Sequence, residues 1–503
     1  MDKANFNKIY PKRSLPFNIK DYPITVRELW QQKCKNVDEV VASLPKKLRC
    51  LIGFLGGQPR QLLRSIGKRK DFEAIECFAA FLLEPYEFLT WPATTIKSCF
   101  FFTVERLLNN SMKKTVQFLP KQLTQIPAGL TFYHPEYVFT SASVPNEDGY
   151  INLGLSSVTD EQYLRECLAD PTRKVILEIN CHVPWVNGDP ALGNHCIHLS
   201  QVAMVYEHHE PQFELPPIQA TDREQQIAEH ALKYIQNGST LQFGIGGIPN
   251  YIASRIGQHR DLGIHTEMFS DGIVDLHEAG AVSNRCKGHR DGVSVCTFVI
   301  GSNRLYDWVD RNPQVCILPI NEVNNPYLVA KCNNFISINA GIMVDLYGQI
   351  CSDTFNFKTY SGFGGQLEFV QGSQLAPNGH SLICIKSVAT INDNPISNVV
   401  SCLPPGAMVT VPRCFTDVVI TEYGIAELRA KSNLERAHAL VNIADPKFRE
   451  ALAADAKKHG IWDESCGFEK TSQKLFYQSA NLLVGLKRKL SLKYWANKLG
   501  GKN

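Results

Sequence analysis

The stretch Ser239-Thr-Leu-Gln-Phe243, followed by Gly244-Ile-Gly-Gly-Ile-Pro249 and then by Tyr251-Ile-Ala-Ser-Arg-Ile256, decides the fold. A short apolar run, a glycine-rich turn and an apolar-periodic run are typical of a strand, a tight turn and a helix in succession. Just upstream, Thr221 and Glu224 match a capping box. The apolar periodicity that follows predicts a helix of ~17 residues ending at Gly238. Together these signals predict an α/β domain.

Strand-like runs recur on both sides of this stretch, and helical patterns separate them. Alternating strands and helices favour α/β domains with largely parallel sheets. The predicted strands are Val175 to Ile179, Ser294 to Ile300, Val315 to Pro319, Phe335 to Leu346, Ser381 to Ile385 and Asp417 to Thr421. The proline-rich segment His208 to Asp222 is predicted to be a linker between domains at 1–212 and 220–503. Thr471 to Asn503 is predicted to be a basic helical tail.

Length and composition exclude several classes of protein. The 503 residues exceed the ~250 to 300 at which a single core stops growing, so two domains are expected. A net charge of +3 gives no sign of nucleic acid binding. The apolar stretch Phe78 to Leu108 is broken by Glu84, Pro85 and Lys97, which argues against a membrane span. Sixteen cysteines without zinc-like spacing predict reduced thiols and a cytoplasmic protein.

The glycine-rich turn is not a dinucleotide fingerprint, because Pro249 stands where the third glycine belongs. A Walker lysine is missing as well. What remains is a set of backbone N–H groups that opens a helix, and such a loop suits a phosphate or an oxyanion. A tight turn without a ligand is the structural alternative.

Four segments together resemble the acetyl-CoA hydrolase/transferase family, and most closely its 4-hydroxybutyrate and butyryl-CoA:acetate CoA-transferases. They are Phe243 to Pro249, Asp261 to Gly272, Ser337 to Gln349 and Ser361 to Phe369, the last containing the specific Gly-Gly-Gln-Leu-Glu-Phe pattern. The resemblance implies two CoA-transferase-type (NagB/RpiA-like) α/β domains. It also implies coenzyme A as a substrate, no tightly bound cofactor and no metal.

The resemblance places Met343 at the position of the family's glutamate nucleophile when Ser337 to Gln349 is aligned without gaps. Methionine has no ionisable oxygen and cannot form the acyl anhydride of the family's reaction. Two other carboxylates are candidates to replace it. Asp345 faces the same side of a strand ~6.6 Å further on, and Glu322 lies in a segment expected near the site.

The two glycine loops carry the remaining candidate site residues. By resemblance, Ile245, Gly246 and Gly247 stabilise the acyl oxyanion, and Gly364 and Gly365 offer backbone contacts to CoA or to the carbonyl oxygen. Gln366 and Glu368 are expected to hold the second loop by hydrogen bonds.

Two further segments carry polar residues. His265, Glu267 and Asp271 are expected to brace the floor of the site rather than to bind a metal. In the segment Thr421 to Ser432, Ala430 replaces the glycine that the family usually has.

The leading hypothesis is therefore transfer of CoA between an acyl-CoA and a small carboxylate, or acyl-CoA hydrolysis, with an altered nucleophile. The alternative is a non-catalytic acyl-CoA-binding or regulatory protein, in a homodimer or paired with an active paralogue. A sugar-phosphate isomerase of similar topology is disfavoured because the Gly-Gly-Gln motif belongs to the transferases.

Overall fold

Two largely parallel sheets, one in each half of the chain, dominate the structure. The computed structural model describes residues 17–110, 115–158, 160–391 and 393–462. The predicted tail at 471–503 therefore lies outside the described residues. No helix in the described ranges is long and apolar enough to cross a membrane.

The first sheet has seven strands, and every neighbouring pair in it is parallel. Its order is β4-β3-β2-β1-β5-β7-β9, and a small antiparallel pair, β6-β8, accompanies it. The strands of this half are β1 Lys47–Ile52, β2 Ala74–Phe78, β3 Thr94–Ser98, β4 Val116–Phe118, β5 Tyr137–Ala142, β6 Tyr150–Asn152, β7 Lys174–Ile179, β8 Cys196–His198 and β9 Met204–Glu207.

The second sheet has six strands in the order β11-β10-β16-β21-β25-β26, parallel except for the hairpin β25-β26 at one edge. Several two- and three-stranded sheets surround it. The strands of this half are β10 Thr240–Phe243, β11 Gly263–Ile264, β12 Met268–Phe269, β13 Ser294–Cys296, β14 Phe298–Val299, β15 Val315–Ile317, β16 Phe335–Ala340, β17 Met343–Asp345, β18 Ile350–Cys351, β19 Thr354–Phe355, β20 Lys358–Thr359, β21 His380–Cys384, β22 Val388–Ile391, β23 Asn394–Ser397, β24 Val399–Val400, β25 Val418–Thr421 and β26 Gly424–Glu427.

Helices separate the strands in both halves. The α-helices are α1 Ile24–Lys33, α2 Val37–Ser43, α3 Arg60–Ile66, α4 Thr103–Asn110, α5 Ile126–Tyr133, α6 Asp160–Ala169, α7 Asp222–Ala231, α8 Gly247–Arg255, α9 Asp271–Glu278, α10 Asn303–Val309, α11 Ile320–Val323, α12 Pro326–Val329, α13 Gln366–Leu375, α14 Asn433–Ile443 and α15 Pro446–Lys458. Short 3-10 turns occur at Ile19–Asp21, Leu55–Gly57, Glu87–Thr90, Leu123–Gln125, Pro190–Leu192, Leu199–Gln201 and Leu232–Tyr234.

The predicted α/β class with largely parallel sheets is confirmed, and the differences are local. Thr221 does cap α7 through a capping box with Glu224, but the helix ends at Ala231 because the next turn tightens into the 3-10 turn Leu232–Tyr234. The run Ser294 to Ile300 is split into two strands that pair with different partners, β13 with β15 and β14 with β12. The run Phe335 to Leu346 is likewise split, since the chain leaves the second sheet after Ala340.

Of the predicted linker His208 to Asp222, residues 208–221 precede helix α7 and are tied to both halves, and we call them the strap. Arg60 and Asn180 of the first half donate to the carbonyls of Pro211 and Glu210. From the second half, the Tyr306 hydroxyl donates to the carbonyl of Phe213 at 2.6 Å. Further along, the N–H of Leu215 donates to the carbonyl of Gly301 at 3.0 Å, and Asn250 donates to the carbonyl of Ile218 at 2.9 Å. The strap is an ordered crossing rather than a loose connection.

A hydrophobic core joins the two halves. Buried residues of the first half, including Val138 and Ile179, share one apolar cluster with Met268, Phe298 and Ile320 of the second half. Because burial of apolar area drives association, this continuity holds the ends of the two sheets against each other.

Candidate functional site

A cavity of about 500 Å³, which we call the main cavity, lies between the two halves. Both sheets meet it with residues that follow the carboxyl ends of their parallel strands, where α/β proteins commonly bind ligands. From the first half these residues are Leu55, Phe81, Phe100 and Phe102, which follow β1, β2 and β3. From the second half, Gly244 follows β10, Gly341 follows β16, and both glycine loops contribute.

Glu267 is the one charged residue among the described residues that line this cavity. It immediately precedes β12, and its side chain is partly exposed to the cavity. Burial raises the pKa of its carboxyl to about 7, and the negative charge of Glu368 acts in the same direction. Hydrogen bonds from Asn324 and from the backbone of Gly365 act in the opposite direction. The group is therefore a partly buried, hydrogen-bonded carboxylate with a pKa near 7.

Asn324 joins Glu267 to a second buried carboxylate. Its amide nitrogen donates to Oε2 of Glu267 at 2.8 Å and to Oε2 of Glu368 at 3.0 Å. The other oxygen of Glu368 accepts the backbone N–H of Thr124 at 3.0 Å and also the Thr124 hydroxyl. Because Thr124 belongs to the first half, a continuous hydrogen-bonded chain runs from Glu267 across the interface between the halves.

The second glycine loop, residues 361–366, fits tightly around Glu267. A Cβ atom on Gly365 would collide with Oε2 of Glu267 and with Nδ2 of Asn324, so only glycine allows this approach. Gly364 has a φ of +53°, a left-handed conformation that glycine adopts at little cost. Gln366 anchors the loop by donating to the carbonyl of Ala340 at 3.1 Å. Both Gly364 and Gly365 line the main cavity.

The first glycine loop, residues 244–247, contributes Gly244 and Ile245 to the lining of the same cavity. Gly246 has a φ of +127° and open space where a side chain would be, and it begins the turn into α8. Ile245 lines the main cavity, whereas Gly246 and Gly247 line a smaller cavity of about 90 Å³ that adjoins it. Gly247 packs closely on Ala220 of the strap. Of the three residues predicted to stabilise the oxyanion, Ile245 thus lines the main cavity, and Gly246 and Gly247 line only the adjoining smaller one.

Met343 lies outside the lining of the main cavity, although its neighbours Gly341 and Ile342 belong to it. The side chain is buried, with 5% exposure, in strand β17, which pairs with β18 so that Met343 lies opposite Cys351. The sequence predicts one strand over Phe335 to Leu346, but the chain breaks at Gly341. This break places Met343 in a separate three-stranded sheet.

The two carboxylates predicted to replace a nucleophile are also elsewhere. Asp345 is fully buried and accepts the N–H groups of Tyr347 and Gln349 at 3.1 and 2.9 Å, so it stabilises the turn between β17 and β18. Glu322 pairs with Arg290 at 3.4 Å and lines a different cavity of about 440 Å³. Neither residue lines the main cavity.

His265 and Asp271, which the sequence predicts to brace the floor of the site, lie outside the lining of the main cavity and make internal hydrogen bonds. The Nε2 atom of His265 lies 2.7 Å from the carbonyl oxygen of Val323, and burial, together with the charge of Lys287, lowers the pKa of the imidazole to about 3. Asp271 accepts the N–H of Ser302 at 3.0 Å ahead of helix α10. Within the described ranges, no group of three or more His, Cys, Asp or Glu side chains is arranged to hold a metal ion.

Sequence reasoning assigned Glu267 to this bracing group and overlooked Asn324. One signal for Glu267 was available: the carboxylate directly precedes the short apolar run Met268-Phe269, at the edge of a predicted strand. Asn324 gave no such signal, because its role depends on the meeting of α11 with the second glycine loop. The aromatic residues at 81–102 were considered only as part of the apolar stretch Phe78 to Leu108, and no role in the site was predicted for them.

Comparison with known proteins places these features in a family. The model of the acetyl-CoA hydrolase/transferase N-terminal domain matches residues 22–215, and that of the C-terminal domain matches residues 301–456. Succinyl-CoA:cyclohexane-1-carboxylate CoA transferase of Geobacter metallireducens is 35% identical, over 86% of this chain and 96% of that protein. Butyryl-CoA:acetate CoA-transferase of Anaerostipes caccae is 32% identical, over 88% of this chain and all of that protein.

Solved structures agree with these matches. The crystal structure of RipA from Yersinia pestis superposes with a TM-score of 0.79 at 28% sequence identity, and covers 87% of this chain and 99% of that one.

Proposed function

Because the chain belongs to the acetyl-CoA hydrolase/transferase family, we propose that it transfers CoA from an acyl-CoA thioester to a free carboxylate, with Glu267 as the nucleophile. The observation that supports this most directly is the position of Glu267. It is the one carboxylate among the described lining residues of the main cavity, it contacts the second glycine loop at Gly365, and Gly244 and Ile245 of the first loop line the same cavity. The geometry of this chain thus favours Glu267 over Met343, Asp345 and Glu322.

The chemistry that such a carboxylate performs is acyl transfer in two halves. A carboxylate oxygen of Glu267 attacks the thioester carbonyl, the C–S bond breaks, and CoA leaves as the thiolate while an acyl-glutamyl anhydride forms. The thiolate then attacks the glutamyl carbonyl, which releases the first acid as a carboxylate and leaves a glutamyl-CoA thioester. A second carboxylate repeats these steps in reverse order. No net proton is consumed.

The surroundings of Glu267 match the demands of these steps. A carboxylate whose pKa is raised by burial is less well solvated than one in water, and this makes it a better nucleophile. Each attack places negative charge on a carbonyl oxygen, which needs preorganised N–H donors. The backbone N–H groups of Gly364 and Ile245 are the candidate donors at this site, because the N–H of Gly365 already donates to Glu267. Asn324 fixes the orientation of the attacking carboxylate.

A non-catalytic acyl-CoA-binding role remains the alternative, because it follows from the assignment of the nucleophile position to Met343. Hydrolysis of the glutamyl-CoA thioester by water is a third outcome of the same site chemistry. Pairing with a second copy or with an active paralogue stays a prediction.

Transfer of CoA from butyryl-CoA to isotopically labelled carboxylates, followed by mass spectrometry, separates these functions. We expect transfer by the wild type, a loss of about 1,000-fold or more in Glu267→Gln as for removal of a covalent nucleophile, and little change in Glu322→Gln. Incubation with acyl-CoA alone should add CoA, less one water, to the peptide that contains Glu267.

The Met343→Glu variant tests the alternative. A wild type that is silent and a Met343→Glu variant that transfers CoA would assign the nucleophile to position 343 and refute the role of Glu267. Release of free acid without labelled acyl-CoA would identify a hydrolase instead.

A further inference from the structure

Large apolar side chains wall much of the main cavity, and one of them, Phe100, packs against the second glycine loop. Four of them, which we call the aromatic wall, come from both halves: Phe81, Phe100, Phe102 and Phe298. The rings of Phe81 and Phe100 stack with centroids 4.2 Å apart and planes 17° apart, and the ring of Phe298 lies 6.1 Å from that of Phe81. Leu55, Leu215, Met268 and Ile300 extend the same surface.

The aromatic wall is held in place by buried polar groups behind it. The carboxylate of Glu105, which is fully buried, accepts the N–H of Leu82 at 2.8 Å and that of Phe102 at 3.0 Å. Gln58 is also buried and donates to the carbonyl of Phe81 at 2.8 Å. Phe81 is thereby kept at a φ of +55°, an unfavourable value for a bulky residue. Such a conformation persists only where the surroundings determine it. The buried hydrogen bonds therefore fix the position of the aromatic wall.

The cavity offers no positive charge to a ligand. Among the described residues that line it, none is a lysine, arginine or histidine, and the single charge is the carboxylate of Glu267. The guanidinium of Arg106 stacks on the ring of Tyr360 at 4.6 Å, and Arg106 is itself outside the lining. A second carboxylate on a substrate would be desolvated here without a partner, and burying an unpaired charge is strongly unfavourable.

We propose that this site selects monocarboxylic acids whose acyl group is apolar, uncharged and bulkier than acetyl, in branched, cyclic or aromatic form, and rejects dicarboxylic acids. The proposal rests on the proposed function, because it concerns the acid that reacts with Glu267. Each methylene that the wall removes from water is worth roughly fourfold in binding. Acetate leaves the aromatic wall unfilled, and succinate places a charge against it.

A competition experiment tests this selectivity. Wild-type protein is given one acyl-CoA donor and an equimolar mixture of acetate, succinate, isovalerate, cyclohexanecarboxylate and benzoate. The ratios of the acyl-CoA products, read by mass spectrometry, equal the ratios of kcat/KM. We expect the three bulky acids to exceed both acetate and succinate by about tenfold or more. Use of acetate or succinate at the same rate as the bulky acids would overturn the proposal.

Two variants connect the preference to the wall. Phe102→Arg introduces a cation at the wall and is expected to raise the ratio of succinate to benzoate by about tenfold, a gain that a merely disruptive change would not produce. Phe132→Ala, at a side chain that is 84% exposed elsewhere in the first half, should leave all ratios unchanged.

The failures of the two proposals differ. A CoA adduct on Glu267 that every acid discharges equally would refute the selectivity alone. No adduct and no transfer to any acid would refute both.

Discussion

Glu267 combines burial, one amide donor and a neighbouring carboxylate, and each of these has a defined effect on its pKa. Burial and the charge of Glu368 raise the pKa, whereas Asn324 lowers it. A nucleophilic carboxylate must be ionised, so the wild type should lose kcat/KM as pH falls through about 7. A glutamate with the ordinary value of 4.5 would keep its activity well below that.

The Glu368→Gln variant tests the contribution of the second carboxylate. Removing its charge removes a repulsion that raises the pKa of Glu267, so the acid limb of the kcat/KM profile should move to lower pH. Glu161→Gln provides a control, since Glu161 is a buried carboxylate that pairs with His195 and lies outside the main cavity. An acid limb that does not move in Glu368→Gln would show that the two carboxylates are uncoupled.

The raised pKa of Glu267 also affects stability, with a sign opposite to that of a salt-bridged acid. A folded-state value above the unfolded value means that the native state binds the proton more tightly. The ionised group therefore destabilises the fold above about pH 4.5, and the penalty reaches its full size above pH 7. Glu267→Gln should melt at a higher temperature than the wild type at pH 8, and this advantage should shrink at pH 5.

Gly365 is the residue for which a single methyl group should matter most. Its Cβ would collide with the carboxylate of Glu267 and the amide of Asn324, so Gly365→Ala must displace both. We expect kcat to fall by about 100-fold or more, as when a preorganised donor is lost. Gly257→Ala is the matched control, because its Cβ would meet only the Cβ of Ala279 at 3.5 Å. Normal activity in Gly365→Ala would mean that the loop is not rigid.

The turn after β26 carries a departure from the family pattern that has a measurable consequence. Ala430 stands where the family usually has glycine, and it has a φ of +58°. A left-handed alanine costs about 1 to 2 kcal/mol, while glycine restores flexibility to the unfolded chain at a cost of about 0.4 to 1 kcal/mol. Ala430→Gly should therefore raise the melting temperature slightly. In Ala454→Gly, at an exposed site inside α15, the same exchange should lower it.

Elements with local signals could be predicted, and elements decided by distant contacts could not. The capping box at Thr221 and the apolar runs of β10 and β21 are local sequence patterns that predict these elements without any distant contact. The break between β16 and β17 depends on where Gly341 packs against Ile383 and Ile385, and no local pattern reveals that. The glycine loops were found because glycines are required there, whereas the roles of Glu267 and Asn324 required the folded arrangement.

Thr124 links the first half of the chain to the hydrogen-bonded groups of the site. Its hydroxyl and its N–H both donate to Glu368, which shares Asn324 with Glu267. Thr124→Val keeps the shape and removes the hydroxyl donor. A hydrogen bond to a charged group is worth about 1.5 to 3 kcal/mol, so we expect roughly a tenfold fall in kcat, with KM less affected. Thr131→Val, which loses a surface hydrogen bond to Glu166, is the control. Equal activity of the two variants would refute this coupling.

The strap restricts motion of the two halves relative to each other. A chain segment tied by hydrogen bonds to Arg60 and Asn180 on one side and to Tyr306 and Gly301 on the other cannot act as a hinge without breaking several of them at once. Slow opening of the whole body is therefore disfavoured. The first acid must therefore leave the main cavity, and the second must enter it, without separation of the two halves and within the lifetime of the covalent intermediate. The exchange of acids through the existing opening then limits how many turnovers end in transfer.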